Sequence, residues 1–269
     1  MYAIDFEYDG MRLSDYDFLI CSFDGKSGVE IENPGSQLSF NTIAVNDGKK
    51  YHLTNSNYGE CFNTSFQICK NPEICDDIKI SEREYRQMIK WLNRRKFHQI
   101  RFLNDDSIYT PFYFNASFNI SKICINSVCY GLELNMITDS PFAYGQKQIF
   151  NFFDTNPEKT YYIRSESDEI GDAPVNVKIV LKEAGDLTIS NITTDTDTII
   201  NNCISGETIT IDGINQIIDT NNINHKIAND FNYNFLEIRN TLNDGRNKIN
   251  FSLNCDVYID FIPIIKNIP

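Results

Sequence analysis

Short runs of apolar residues, each about as long as a β-strand, follow one another along most of this chain. Clusters of Asn, Asp, Gly and Pro, which favour turns, separate these runs. Two early runs are Phe18 to Phe23 and Leu38 to Val45. The later segment SKICINSVCYGLELNMI alternates, with apolar residues at Leu132, Leu134 and Met136. Alternation buries one face of a strand and exposes the other, so the pattern predicts a mainly β protein.

The second half of the chain continues this pattern. Its runs VNVKIVLKE, DLTISNI, ETITIDG and KINFSL are separated by turns at Ala184-Gly185-Asp186, Ser205-Gly206 and Asn243-Asp244-Gly245. Short strands at roughly ten-residue spacing are typical of a β-sandwich or jelly roll. The segment between Ala143 and Pro174 is polar and rich in turn residues. We therefore expect two domains, 1–145 and 146–269, with a linker region at about 146–173.

One segment, ISEREYRQMIKWLNRRK, departs from the β pattern. Ser81 precedes Glu84 by three residues, which is the spacing of a capping box, and Ile80 and Tyr85 can form a hydrophobic staple. Apolar residues then recur at helical spacing at Tyr85, Met88, Ile89 and Leu92. The spacing predicts a helix near 82–95 that buries this stripe. Trp91 is expected at the border of the stripe, and the basic side chains are expected on the outer surface: Arg83, Arg86, Lys90, Arg94 and Arg95.

The charge of the chain argues against binding to nucleic acid, and its apolar runs are too short for a membrane span. The chain has 24 basic and 37 acidic residues, a formal net charge of −13, which disfavours tight binding to phosphates. No run approaches the roughly 18 apolar residues of a membrane-spanning helix. The opening MYAIDFEYDG lacks the basic start and apolar run of a signal peptide, so we expect synthesis in the cytoplasm.

The eight cysteines do not indicate a disulfide framework or a metal site. They include no C-x-x-C pair, and without a secretory signal we expect reduced thiols. A zinc site would require convergence of His52, Cys61, Cys69 and Cys75, which their spacing does not indicate.

The sequence motifs favour no enzyme and no cofactor. Gly25-Lys26-Ser27 is like the end of a phosphate-binding loop, but Ile20 occupies the position of its first glycine. The three histidines, His52, His98 and His225, lie in no recognisable catalytic motif. A pair of carboxylates for glycoside hydrolysis stays open, because a fold with this many acids could place two across a cleft.

The order of these segments resembles one known family. EYDGMRLSDYDFLI, the helical segment ISEREYRQMIKWLNRR leading into IRFLNDD, and LELNMITDSPFAYG are similar to the amino-terminal domain of the distal tail proteins (Dit). These proteins belong to long-tailed phages that infect Gram-positive bacteria. GDAPVNVKIVL, NCISGETITIDG and LNDGRNKINFSL resemble the galectin-like carboxy-terminal domain of the same family. The resemblance covers nearly the whole chain in the right order.

The resemblance implies a structural protein of the virion, assembled in the host cytoplasm. It implies an amino-terminal, ring-forming β-sandwich that carries one α-helix and a carboxy-terminal galectin-like or jelly-roll sandwich. Six copies would form a ring that joins the tail tube protein to the tail-associated hub protein and lets DNA pass without specific binding. Receptor-binding or baseplate proteins are possible partners of the carboxy-terminal domain. No enzyme activity, cofactor, metal or membrane contact is implied.

Two sets of residues become candidates for this role. The first set belongs to the helix and to the turn DSPFAYG, and its members are candidates for structure and assembly: Ser81, Glu84, Tyr85, Met88, Trp91, Leu92 and Pro141. The second set contains acidic residues that would line the channel, because a basic lumen would hold DNA through its phosphates. Its members are Asp5, Glu7, Asp9, Asp15 and Asp17.

Two other functions stay open. A carbohydrate-binding adhesion module in the galectin-like half would need an exposed aromatic platform, for which the candidates are Tyr233, Phe235 and Tyr258. Strand alternation instead favours core positions for these three residues. A tail-associated hydrolase is the enzyme alternative, and the absence of a histidine-based or metal motif argues against it.

Overall fold

The computed structural model describes residues 3–23, 38–45, 51–104, 108–241 and 246–266, with only the backbone described in 41–45 and 51–55. The chain forms two compact units. The first comprises Met1–Tyr144 with Ile265–Pro269, and the second comprises Gly145–Ile264. The predicted fold class, mainly β in two domains with one α-helix in the first, is confirmed. The motif Gly25-Lys26-Ser27 and the turn Asn243-Asp244-Gly245 lie outside the described residues.

The secondary structure elements follow the chain in this order. Up to Gly145 they are β1 (Asp5–Tyr8), β2 (Met11–Arg12), a 3-10 helix (Leu13–Tyr16), β3 (Phe18–Cys21), β4 (Leu38–Val45), β5 (Tyr51–Tyr58), β6 (Asn63–Lys70), α1 (Glu82–Leu92), β7 (His98–Leu103), β8 (Phe112–Ile125), β9 (Val128–Thr138) and β10 (Ala143–Gly145). They continue with β11 (Gln148–Phe152), β12 (Tyr161–Arg164), β13 (Gly171–Pro174), β14 (Asn176–Leu181), β15 (Gly185–Asn191), β16 (Thr196–Cys203), β17 (Thr208–Asp212), β18 (Ile217–Thr220), α2 (Ile227–Asp230), β19 (Glu237–Asn240), β20 (Arg246–Phe251), β21 (Cys255–Phe261) and β22 (Ile264–Ile265).

The main sheet of the first unit curls around an aromatic core. Seven of its strands lie in the order β2-β1-β7-β8-β9-β6-β3, and β10 joins the sheet by pairing with β8 and β22. The backbone N–H of Ile20 in β3 donates to the carbonyl of Ile4, just before β1, at 3.0 Å. Across the core, the rings of Phe6 in β1 and Phe66 in β6 have centroids 5.8 Å apart. The two ends of the sheet therefore approach each other, and the sheet encloses its own core.

Helix α1 begins as predicted from its capping box. Ser81 Oγ accepts the N–H of Glu84 at 3.3 Å, and Glu84 Oε2 accepts the N–H of Ser81 at 2.7 Å. The helix ends at Leu92 and is therefore shorter than predicted, since the sequence placed its end near residue 95. Asn93 Nδ2 donates to the carbonyl of Phe118 at 2.6 Å, which holds the chain against β8 where the helix stops.

Trp91 lies at the centre of the buried face of α1, whereas the sequence placed it at the border. Its side chain is only 3% exposed, and Met88 and Leu92 are buried with it. The indole stacks on Phe6 at a centroid distance of 5.7 Å, and Nε1 donates to the carbonyl of Tyr8 at 3.2 Å. The large ring reaches β1 and contacts more of the core than the half-buried Tyr85 does, so the buried stripe is centred on Trp91.

The second unit is a two-sheet β-sandwich. One sheet has the order β11-β21-β14-β17-β18, the other has the order β12-β20-β15-β16, and β13 pairs with β19. Alternating apolar residues fill the space between the sheets, as in β14 (Val177 and Ile179) and β20 (Ile249 and Phe251). The single-turn helix α2 was not predicted from the sequence.

The segment predicted as a linker, about 146–173, forms part of this sandwich. It contains β11, β12 and most of β13. Strand β11 pairs with β21 along its whole length, and β12 pairs with β20. Both are edge strands of their sheets, and edge strands expose many of their residues. Their mixed, polar composition therefore resembles that of a linker.

The end of the chain returns to the first unit. Strand β22 pairs with β10, and Ile265 packs against the aromatic core. Within the second unit, the N–H of Gly145 donates to the carbonyl of Pro263 at 2.8 Å. The chain therefore leaves and re-enters the first unit at neighbouring points.

A buried polar cluster joins several elements of the second unit. Glu207 accepts hydrogen bonds from Thr220 and from the N–H of Ile204, and His225 Nδ1 lies 2.6 Å from Glu207 Oε1. His225 Nε2 lies 3.4 Å from a carboxylate oxygen of Asp230 and makes no hydrogen bond among the described residues. Burial raises the pKa of Glu207, but the hydrogen bonds outweigh burial, and the pKa is lowered overall. Glu207 is therefore stabilised as a carboxylate.

Substitution on the two faces of α1 tests the assigned burial. Met88→Asp should destabilise the first unit by about 3 kcal/mol or more, because it places an unpaired charge in the core. The matched surface change Arg86→Ala should alter the unfolding free energy by less than about 0.5 kcal/mol, and Ser81→Ala should cost about 1 kcal/mol through loss of the cap. Chemical denaturation measures all three. A Met88→Asp chain as stable as the wild type would refute the buried face.

Removal of the Glu207 charge should destabilise the second unit in a pH-dependent way. At neutral pH, Glu207→Gln should lower the unfolding free energy by about 1–3 kcal/mol. Because the folded state lowers this pKa, the advantage of the wild type is present above the ordinary glutamate pKa of about 4.3 and is lost as the pH falls through the folded value. Denaturation at several pH values should show the two chains converging in acid. Glu237→Gln, at an exposed position, is the control, and an equal effect of both changes would contradict the role of the cluster.

Candidate functional site

The described residues contain little of the chemistry that an active site requires. Among them, no group of three or more His, Cys, Asp or Glu side chains could hold a metal ion. His98 Nδ1 lies 3.4 Å from Asp9 Oδ1, and His225, 2% exposed, is held by Glu207. The side chain of His52 lies outside the described residues. No helix in the described part of the chain is long and apolar enough to span a membrane. The described residues do present surfaces that are suited to assembly.

The hairpin of β4 and β5 is one such surface. The two strands pair over eight residues, from Leu38 with Tyr58 to Val45 with Tyr51. In the described parts of the chain, neither strand pairs with another sheet. Leu38 and Phe40 are 47% and 64% exposed. The ribbon therefore presents backbone donors and acceptors at its outer edges beside exposed apolar side chains, which favours pairing with another chain.

Pro141 lies beside the base of this hairpin. The neighbouring Phe142 contacts the ring of Tyr58, with centroids 4.7 Å apart, and Lys266 Nζ lies 5.0 Å from the centroid of the Tyr58 ring. The turn that contains Pro141 follows β9 and leads into β10. The residue that follows Pro141 therefore contacts the hairpin, and an assembly role for Pro141 itself stays a prediction.

Helix α1 presents a basic outer face. Arg83, Arg86 and Lys90 are exposed and share one side of the helix, since they are spaced by three and four residues. The acidic residues of the first turn pair with lysines on neighbouring strands: Glu82 Oε2 lies 2.7 Å from Lys122 Nζ, and Glu84 Oε1 lies 2.9 Å from Lys70 Nζ. Glu82 Oε1 also lies 3.8 Å from Arg86 Nε on the basic face. Lys122 also lies over the ring of Tyr85, 4.1 Å from its centroid.

The predicted helix residues therefore act in two ways. Ser81 and Glu84 cap the helix, Tyr85 is half-buried beneath Lys122, and Met88, Trp91 and Leu92 attach the helix to the sheet. Each of them supports the basic face, and none of the three buried residues is available to a partner.

Arg94 differs from its predicted position on the outer surface of α1. It lies beyond the end of the helix and turns back, so that Nη1 contacts Asp9 Oδ2 at 2.7 Å and Nε donates to the carbonyl of Trp91 at 2.9 Å. Its guanidinium lies 5.9 Å from the centre of the Tyr8 ring. Arg95, the next residue, is exposed.

Two of the five acidic channel candidates stabilise the start of the chain. Asp5 Oδ1 accepts the N–H groups of Phe6 and Ser14, and Asp5 Oδ2 accepts the Ser14 hydroxyl at 2.7 Å. Asp15 Oδ2 accepts the N–H of Arg12 at 2.9 Å, which caps the 3-10 helix. These carboxylates hold β1, β2 and the 3-10 helix together.

Glu7 lies in a row of side chains that alternate in charge. The strand register pairs Glu7 with Arg12 on β2 and with Arg101 on β7. The Tyr109 hydroxyl donates to Glu7 and accepts from Arg12 Nη2, the latter at 2.8 Å. The negative charge of Glu7 is therefore balanced by its neighbours across the sheet.

The remaining two candidates differ in their surroundings. Asp9 contacts both Arg94 and His98. Asp17 is exposed and has a left-handed backbone, with φ of 62°, at the end of the 3-10 helix. Whether any of the five lines a channel stays a prediction.

The three aromatic candidates for sugar binding do not share one surface. Tyr233 is exposed, contrary to the core position expected for it, and Phe235 packs against the core. Both contact the ring of Phe231, whose backbone forms an isolated β-bridge with Ile200 in β16 of the four-stranded sheet. Tyr258 lies on the outer face of the five-stranded sheet, half-exposed, with Lys178 over its ring. Its predicted core position is also wrong.

Comparison with known proteins identifies similar families and folds. A family model described as "Phage tail protein N-terminal domain" matches residues 1–140, and one described as "Phage tail C-terminal domain" matches residues 142–261. The crystal structure of the SPP1 Dit (gp 19.1) protein, described as a paradigm of the hub adsorption apparatus in Gram-positive infecting phages, is similar in fold, with a TM-score of 0.66 and 11% sequence identity. The similarity covers 96% of this chain and 98% of that one. No curated protein matches the sequence.

Replacement of Arg94 tests the contacts that follow α1. Arg94→Ala should destabilise the first unit by about 1–2 kcal/mol, because it removes a partly buried ion pair and a hydrogen bond to Trp91. Arg95→Ala is the matched control and should change the unfolding free energy by less than about 0.5 kcal/mol. Denaturant unfolding of both variants measures the difference. Equal values would mean that the Asp9 contact contributes nothing.

Proposed function

Since this chain belongs to the phage tail protein family through both of its domains and has the fold of a distal tail protein, we propose that it forms the hub ring at the tip of a phage tail. Six copies close into a ring that joins the tail tube protein to the tail-associated hub protein. The second unit binds receptor-binding or baseplate proteins. The role is structural, requires no catalytic group or cofactor, and is carried out in the virion after assembly in the host cytoplasm.

The observation that carries this proposal is the β4–β5 hairpin. Soluble monomers protect the edges of their sheets, because exposed edges pair with other chains. The hairpin instead has eight paired residues and exposed apolar side chains at Leu38 and Phe40. When a hairpin docks on a different surface of an identical copy, the contact is heterologous, and it forms a ring where the rotation between successive copies closes. A hexamer is the closed form that the family resemblance implies.

The charge distribution supports contact between copies. The exposed residues Arg83, Arg86 and Lys90 form a basic face on α1, whereas the whole chain has a net charge of −13. Opposite charges on two surfaces of one chain favour head-to-tail association over symmetric pairing of the same surface. The basic face therefore suits an acidic surface of the neighbouring copy.

The channel of the ring would let DNA pass without holding it. A lumen with few free basic side chains makes few phosphate contacts, so DNA is not retained. Among the acidic candidates, Asp15 and Asp17 are exposed, whereas Asp5 and Glu7 are half-buried and Asp9 is paired with Arg94. Asp15 and Asp17 are therefore the best candidates for the wall. We propose no carbohydrate-binding function, because the aromatic candidates do not form one platform.

Light scattering of the purified chain tests assembly through the hairpin. Six copies of the 31.0 kDa chain should give a particle of about 186 kDa. The double change Leu38→Ser with Phe40→Ser should yield monomers with an unchanged unfolding temperature, because both side chains are exposed. Ile223→Ser, at a position 97% exposed in the second unit, is the control and should still assemble. A wild-type chain that stays at 31.0 kDa at high concentration, alone and with the tail tube protein, would contradict the ring.

Retention of double-stranded DNA tests the channel. The wild-type ring should not retain DNA at physiological salt, whereas Asp15→Lys with Asp17→Lys should retain it in a salt-dependent way. Asp195→Lys with Asp197→Lys makes the same charge change at exposed positions of the second unit. A gel-shift titration compares the three rings. Equal retention by both variants would show that total charge matters and that Asp15 and Asp17 do not face the channel.

A further inference from the structure

Cys124 and Cys129 face each other at the tip of the β8–β9 hairpin. The strand register pairs the two directly, one step inside the pair that closes the turn, and it shifts by one residue beyond them, where Ile123 pairs with Gly131. The turn residues Asn126 and Ser127 have positive φ values of 47° and 66°. Two consecutive residues in this conformation form a type I′ turn, which is common in two-residue hairpins.

This turn determines the geometry of the cysteine pair. The pair that flanks a two-residue turn is hydrogen-bonded, so the next pair, Cys124 with Cys129, occupies a non-hydrogen-bonded position. Cα atoms at such positions are about 4.5 Å apart and their side chains share one face, within the range of about 4.4–6.8 Å that disulfides require. A bond between them requires little backbone movement.

The two thiols differ in their surroundings. Cys124 is exposed, whereas Cys129 is half-buried, packs against the core of the first unit and donates through Sγ to the carbonyl of Gly131 at 3.4 Å. Burial raises the pKa of Cys129, and the neighbouring Cys124 raises it further. A reagent in solution therefore meets Cys124 first, and Cys129 is placed to react within the hairpin.

We propose that Cys124 and Cys129 form a redox-controlled disulfide whose oxidant is a low-molecular-weight disulfide such as oxidised glutathione. The Cys124 thiolate attacks one sulfur of glutathione disulfide, forms a mixed disulfide and releases one glutathione thiolate. Deprotonated Cys129 then attacks the sulfur of Cys124 and releases the second glutathione thiolate. The two glutathione thiolates take up the two protons, so two cysteine thiols are oxidised and one glutathione disulfide is reduced to two thiols.

The bond would act on the start of α1. The carbonyl of Cys129 accepts the N–H of Ile80, the residue before the helix cap, at 2.8 Å. Lys122, on the same hairpin, pairs with Glu82 in the first turn of the helix. A disulfide at the hairpin tip therefore restrains the strand to which the start of α1 is attached. A phage tail leaves a reducing cytoplasm for an oxidising exterior. This part of the inference rests on the proposed function, whereas the chemistry of the cysteine pair does not.

Oxidation of the purified full chain tests the proposal. The reduced protein is incubated in glutathione buffers of increasing oxidised fraction, quenched in acid, alkylated and analysed by mass spectrometry. We expect one disulfide per chain, between Cys124 and Cys129, with alkylation of the other six cysteines. Hydrogen exchange at the Ile80 N–H should slow by about tenfold on oxidation, as local opening of the helix start becomes rarer. Light scattering of the reduced and the oxidised chain measures assembly independently. Failure to form the disulfide is therefore distinguished from failure to form the ring.

Other cysteines of the chain supply the controls. Cys129→Ser should trap a glutathione adduct on Cys124, whereas Cys124→Ser should form neither adduct nor bond. Cys21 and Cys69 lie diagonally across β3 and β6, because the register places Cys21 opposite Gln67 and Cys69 opposite Leu19, and they should stay reduced. Free thiols at both Cys124 and Cys129 in the most oxidising buffer, or a bond from either to a different cysteine, would overturn the proposal. Loss of the adduct in Cys129→Ser would overturn the order of attack.

Discussion

The burial of Trp91 is the contact on which the architecture of the first unit depends. One side chain joins α1 to β1 twice, by stacking on Phe6 and by donating its indole N–H to the carbonyl of Tyr8. Phe6 in turn contacts rings from three other strands of the curled sheet: Phe66, Phe102 and Phe118. Burial of a large aromatic side chain with its polar atom satisfied combines hydrophobic stabilisation with orientation. The basic outer face of α1 and the capping of its first turn both rest on this attachment.

Local signals in the sequence predicted the beginning of α1 but not its end. The capping box of Ser81 and Glu84 involves residues three positions apart, so the sequence alone displays it. The end depends on Asn93 reaching Phe118 and on Arg94 reaching Asp9, and partners so distant in sequence leave no periodic pattern. The central position of Trp91 has the same cause, since strand β1 decides which side of the helix is buried.

The candidate site was less predictable than the fold. The segment Leu38–Val45 was recognised as a strand, but an apolar run does not reveal that its hairpin stands apart from the other sheets. The charge of the acidic residues near the start predicts a place on the channel wall, yet strand register places Glu7 between Arg12 and Arg101 and so balances its charge. The composition of edge strands β11 and β12 predicts a linker, because exposure gives a strand and a linker a similar composition. In each case the deciding fact is a neighbour across space.

The return of the chain through β22 bears on the order in which the protein is made. During synthesis the first unit emerges from the ribosome without β22 and without the core contact of Ile265. Its sheet therefore stays incomplete until β22 has been made. Between β10 and β22 lie about 120 residues, and closing so long a flexible loop would cost conformational entropy. Folding of the second unit removes most of this entropy cost, since the hydrogen bond between Gly145 and Pro263 already holds the two ends of the unit close together. The second unit thus behaves as an insertion that delivers the final strand, and its length can change in evolution with little effect on the sheet that receives it.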